Sequence, residues 1–214
     1  MGAKTWLIMY ADGDPKEILR TRPQLDRTAS AAVAAQLFPA DRFTEAPDGS
    51  LAFACPPDNT LMVACFPGLT IVADGSLGID YPSRLDRRFI DHAAGRKIYL
   101  HCMHSVVDWF AFAVWEKGQL RRALSLSPDS GIMEDEGERL PFEASYWSGQ
   151  RPAVDPEEDP AGYPLPFHPL EMGEDTLKAL FGYKLEGEID PTQVDPQTIR
   201  MMVFARKKAW WKLW

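Results

Sequence analysis

Residues 97–126 read KIYLHCMHSVVDWFAFAVWEKGQLRRALSL, and how this stretch folds decides the architecture of the whole chain. Extended backbone from Trp109 to Trp115 puts Trp109, Ala111, Ala113 and Trp115 on one face and Phe110, Phe112 and Val114 on the other, so both faces are apolar. A strand of that kind belongs at the centre of a sheet covered on two sides. A helix capped by Ser105 and running through Asp108 is the competing reading. The aromatic enrichment and the Lys117-Gly118 turn favour strand. Lys97 to Met103 reads as the strand before it, and Leu120, Arg122, Leu124 and Leu126 alternate along the strand that returns.

Outward from this centre the same logic repeats. Arg42 to Ala46 and Leu51 to Cys55 flank Pro47-Asp48-Gly49-Ser50, and Leu61 to Phe66 and Leu69 to Ala73 flank Pro67-Gly68, which predicts two further hairpins. Lys4 to Ala11 suits a strand buried on both faces, and Met201 to Ala205 a last one. Asp14-Pro15-Lys16-Glu17 begins a helix that runs to about Leu19, with an N-cap Asp, Pro at the first helical position and Glu three residues after the cap. Further helices are predicted from Leu25 to Phe38, from a cap at Ser83 to about Ala94, and from Gly173 to Phe181. The fold class is therefore α+β, a mainly antiparallel mixed sheet with hairpins, packed by three to five helices. Residues 1–187 read as one α+β domain that includes a Pro-rich acidic loop at about 149–169, and 188–214 as a C-terminal extension ending in a basic, Trp-rich tail. Ile8 to Gly13 and Ile71 to Gly75 both place Ala-Asp-Gly after an apolar strand, a likeness too short to establish a repeat.

The formal net charge of -8 disfavours a general nucleic-acid partner, because a phosphate backbone rewards a basic field. The charge is also unevenly spread: residues 129–159 hold ten acids against two bases, whereas 200–214 hold five bases and no acid. The longest apolar runs fall far short of the roughly 20 residues that cross a bilayer. The opening MGAKTW has no leader-like apolar segment, so the expected location is the cytoplasm. Three cysteines, Cys55, Cys65 and Cys102, form no C-x-x-C pair and are expected as buried thiols rather than a disulfide framework.

Candidate chemistry is sparse. Asp12 and Asp14 follow the first strand, where open sheets often put metal-binding or phosphoryl-handling carboxylates, but a turn and a helix cap explain them as well. Asp74 and Asp80 would matter if they converged with that pair. His101, Cys102 and His104 place imidazole and thiol side by side, with Asp108 nearby, yet His101 and His104 point to opposite faces of a continuing strand. No metal site and no cofactor are expected, since neither a ligand set of recognisable spacing nor a nucleotide-binding, serine-hydrolase or zincin motif occurs. In the tail, Lys207, Lys208, Trp210, Trp211, Lys212 and Trp214 combine amphipathic rings with cations, which suits a peripheral membrane or nucleic-acid contact. The favoured alternative is that this tail folds back onto apolar surface and the acidic stretch.

MGAKTWLIMYADGDP at the start, CFPG at 65–68, LHCMHSVVDWFAFAVWE at 100–116, LSLSPDSG at 124–131, GERLPFE at 137–143 and YPLPFHPLE at 163–171 together resemble an actinobacterial family of unknown function. The resemblance covers most of the chain up to about Gly187 and implies no activity, cofactor or site residue. A looser likeness of pattern, in the Trp115 to Arg122 hairpin, is to small bacterial interaction modules such as immunity-type proteins. The sequence thus favours a non-catalytic binding or regulatory protein acting through protein contacts. One alternative is a metal-dependent hydrolase or phosphotransfer enzyme using Asp12 and Asp14; another is contact with a membrane or nucleic acid through the tail. Whether Asp12, Asp74 and His101 open into one pocket separates the first two.

Overall fold

The computed structural model describes residues 2–154, 162–187 and 190–207. The elements in chain order are β1 (Lys4–Ala11), α1 (Pro15–Arg20), α2 (Arg27–Leu37), β2 (Phe43–Ser50), β3 (Thr60–Phe66), β4 (Leu69–Ala73), α3 (Arg87–His92), β5 (Lys97–His104), β6 (Trp109–Glu116), β7 (Gln119–Ser127), β8 (Gly131–Gly137), α4 (Ala144–Trp147), α5 (Pro169–Phe181) and β9 (Arg200–Arg206). All nine strands form one sheet in the order β2-β9-β3-β4-β1-β5-β6-β7-β8. Every neighbouring pair is antiparallel, so the fold is α+β. Among the described residues no helix is long and apolar enough to cross a membrane.

Two apolar layers lie on the sheet, as the doubly apolar strand at 109–115 requires. Phe110, Phe112 and Val114 join Leu7, Met9 and the buried residues of α5 on one face. Ala111, Ala113 and Trp115 join Ile8, Tyr10, Leu37 and Phe89, beneath α2 and α3, on the other. Helix α5 sits close to the sheet because position 173 is glycine: a Cβ there would come within 2.7 Å of Met103 Sδ and 3.1 Å of Phe110. The buried His101 ring secures this contact. Its Nε2 lies 3.0 Å from the Gly173 carbonyl and must carry the proton, so Nδ1 accepts from the Thr5 hydroxyl at 2.7 Å.

A second buried polar set ties β7 to α4. The Arg122 side chain is fully buried and donates to Glu143 through Nε (2.9 Å) and Nη2 (2.7 Å). Its Nη1 reaches the carbonyls of Ala123 and Glu136 and the carboxylate of Asp135. Glu143 also accepts from the Leu140 amide and the Trp147 indole, so both charges are compensated in place.

Several local expectations are revised. Residues 42–55 form no hairpin: β2 runs straight through Pro47-Asp48-Gly49 with a bulge and pairs with β9, while Leu51–Phe53 is a 3-10 turn. Helix α2 starts at Arg27 under an Asp26 cap, α3 is capped by Asp86 rather than Ser83, and α5 starts at Pro169 under His168. The favoured strand over 109–115 is present as β6, and the alternative helix capped by Ser105 is not, because His104 and Trp109 close a hairpin. Strand β8 is an addition that periodicity did not predict. The segment after 187 supplies β9, which lies between β2 and β3.

Candidate functional site

The antiparallel register separates the residues that an enzyme reading needs together. Leu7 pairs with Ala73 and Ala11 with Leu69, so Asp12 follows one end of β1 while Asp74 stands beside its other end, bonded to the Trp6 carbonyl at 3.0 Å. Six residues of strand separate those ends, about 20 Å at 3.3 Å per residue. Asp74 is buried and holds Arg206 and the Ser76 amide. His101 lies mid-strand under α5. The three do not meet.

Asp12 and Asp14 open into a groove of about 800 Å³ that also presents Lys16, Arg96, Lys97 and Glu116. Its charges are largely used within the protein. Asp14 caps α1 through the Lys16 amide at 2.9 Å and faces Lys16 Nζ at 3.7 Å, while Lys97 pairs with Glu116 at 2.5 Å. Arg96 is held by the Ala93 carbonyl and the Thr70 hydroxyl. Among the described residues no group of three or more His, Cys, Asp or Glu side chains is arranged to hold a metal ion. Asp108 lies in the β5–β6 turn with its carboxylate 3.8 Å from His168 Nε2, and Tyr163 stacks on His168 with ring centroids 5.5 Å apart. This contact joins two of the family-like motifs and anchors the segment leading into α5.

The opposite end of the sheet carries a different arrangement. Lys4 pairs with His104, and His104 with Trp109, so these side chains and Trp6 share one face at the start of β1, the end of β5 and the start of β6. The Trp6 ring centroid lies 5.7 Å from that of His104 and 5.6 Å from that of Trp109. The backbone packs on Trp6 at Gly78, where a Cβ would come within 2.8 Å of the indole. Asp80, Val107, Ser127, Asp129, Ser130 and Met133 complete a cavity of about 340 Å³.

Three features mark this cavity. First, the Trp109 side chain is buried and its Nε1 has no hydrogen-bond partner within the protein. Second, Asp80 and Asp129 are exposed and take part in no ion pair among the described residues. Third, the exposed large apolar side chains gather at this end. Val107 (50% exposed) is in the wall, and Val106 (73%) and Tyr81 (40%) adjoin wall residues in sequence, whereas Ile132, paired with Leu126, lies on the other face of the sheet. Phe53 precedes Ala54, whose carbonyl accepts from the Trp6 amide at 2.8 Å. Burial and then the nearby Lys4 charge lower the His104 pKa, which keeps the ring neutral at pH 7. Its Nδ1 accepts from the Val106 amide at 3.3 Å, leaving Nε2 as the N–H donor.

Of the tail residues expected to bind, only Lys207 is described, its amide donating to the Arg42 carbonyl at 2.8 Å. Lys208, Trp210, Trp211, Lys212 and Trp214 lie outside the described residues, as does the acidic cluster at 155–159. Trp6, Trp109 and Asp129 were absent from the sequence-derived candidates. The signal that points to them is two tryptophans at strand ends on one face, which becomes readable once β1, β5 and β6 are known to be adjacent.

No curated protein and no solved structure matches the chain. A family model matches residues 5–204, which take in the described strands almost completely and the whole cavity, and by it the chain belongs to the Family of unknown function (DUF6928).

Proposed function

We propose that this chain is a non-catalytic binding protein that docks a partner protein at the end of the sheet formed by Trp6, His104 and Trp109. The observation that carries this reading is the coincidence of a preformed aromatic cavity with the exposed apolar side chains Val106, Val107 and Tyr81. Apolar surface of this kind is costly to leave in water, and a partner that covers it removes that cost. The separation of Asp12, Asp74 and His101 supports binding over catalysis, since acid, base and metal chemistry need groups in mutual reach. The unpaired thiols Cys55, Cys65 and Cys102 favour a cytoplasmic partner over a secreted one.

Selection of a displayed random peptide library on the intact chain tests this reading, with Val107→Lys as the counter-selection target. Val107 is exposed, so the substitution adds charge to the surface without disturbing the core. The expected result is a convergent set of peptides whose binding is lost in Val107→Lys and kept in Asp14→Asn, at the opposite end. Failure to converge, or binding that survives Val107→Lys, overturns the proposal.

A further inference from the structure

We infer that the cavity at Trp6 and Trp109 accepts a lysine or arginine side chain presented by a peptide segment of the partner; this rests on the docking reading above and specifies its chemistry. The wall supplies an aromatic surface: Trp6 and Trp109 pack on each other with centroids 5.6 Å apart and planes at 43°, and both line the cavity. An aromatic face attracts a cation through its quadrupole, tryptophan most strongly. The lining also holds two carboxylates, Asp80 and Asp129, from separate loops. Neither has an intramolecular cation among the described residues, in contrast to Asp14 and Glu116 of the opposite groove. Lys4, the cation that acts on His104, is no part of the cavity lining.

The donor decides between a peptide and a bare amine. The Trp109 Nε1 is enclosed without a partner, so the N–H within a ligand's reach is that of His104 Nε2, the Val106 amide occupying Nδ1. Lysine and arginine side chains carry no acceptor that could use this donor. A backbone carbonyl next to the cationic residue can. Apolar residues on either side of the cation would then cover Val106 and Val107. A quaternary ammonium headgroup shares the cation chemistry but offers no amide carbonyl and no flanking apolar side chains at this position.

Four pools of acetylated, amidated pentapeptides test the inference, each with random flanks and with Lys, Arg, Gln or Glu fixed at the central position. Immobilised full-length protein is expected to retain the Lys and Arg pools about tenfold more than the Gln pool, the ratio for one cation in an aromatic site beside two solvent-exposed acids. Asp80→Asn combined with Asp129→Asn, both at exposed positions, should bring the Lys and Arg pools down to the Gln level. The Trp109 indole N–H resonance should move on binding. Equal retention of the Lys and Gln pools, with loss of both in Val107→Lys, overturns the cation inference and leaves the docking reading intact. Absence of retention in every pool overturns both. Retention of phosphatidylcholine vesicles, displaced by tetramethylammonium, with no retention of peptides, also overturns the inference and identifies a headgroup site instead.

Discussion

Acid should loosen this protein through His101, and the structure sets the size of the effect. The ring is fully buried between β5 and α5, and burial lowers its pKa from 6.5 to about 4, more than the Gly173 carbonyl raises it. In the unfolded chain the ring protonates below about pH 6.5, whereas in the folded chain it stays neutral until about pH 4. The unfolded state therefore binds the proton first as pH falls, and stability is lost across that window. Two and a half pH units at 1.36 kcal/mol each give about 3 kcal/mol in total, of which about 2 kcal/mol is lost between pH 7 and pH 5. His101→Gln removes the titration while its amide can still accept from Thr5 and donate to Gly173. Urea melts of the two proteins at pH 7, 6 and 5 provide the assay. The variant should gain about 2 kcal/mol on the wild type between pH 7 and pH 5, and contributions from the other histidines cancel in the difference. A difference that does not change with pH would show that the ring is charged or solvated in the folded state, and the account of α5 docking would fall with it.

Phe112 is fully buried, stacked on Phe110 with centroids 5.6 Å apart, so Phe112→Ala should cost about 3–5 kcal/mol in a denaturant melt, and a loss below about 1 kcal/mol would contradict its burial. Glu143→Ala leaves the buried Arg122 guanidinium with Asp135 as its remaining carboxylate partner among the described residues and should cost about 3 kcal/mol, while Arg122→Met together with Glu143→Leu should restore most of that, as followed by chemical denaturation.

What the sequence revealed and what it concealed follow from the range of the interactions. Trp109 to Trp115 was legible because both faces of one strand report their own burial. The Leu61 to Ala73 hairpin was legible because its partners adjoin a Pro-Gly turn. Strand β2 was misread because its ladder partner, β9, lies some 150 residues away, and no local turn announces that pairing. Strand β8 was missed because GIMEDEG looks solvent-facing throughout; Glu134 is in fact buried, its carboxylate held by the Ser83 amide and hydroxyl. At the candidate site, Asp14 could be read as a helix cap from its own neighbours. The approach of Trp6 to Trp109 depends on β5 lying between their strands, which no spacing in the sequence encodes.

The place of β9 also shapes how the chain reaches its native state. Strand β3 is made early, but β9, its neighbour on one side, is the last strand in chain order among the described residues, and β2 joins the sheet only through β9. At roughly 5–20 residues per second, translation leaves that flank of β3 without a partner for on the order of ten seconds. During this interval the apolar segment Thr60 to Phe66 is an open edge, the kind that recruits strands from other chains. The finished protein presents β2 there instead, an edge interrupted by Pro47 and bridged to Arg27 through Glu45 and Asp48. Protection against strand exchange is thus acquired only once β9 has been made and has brought β2 to the edge.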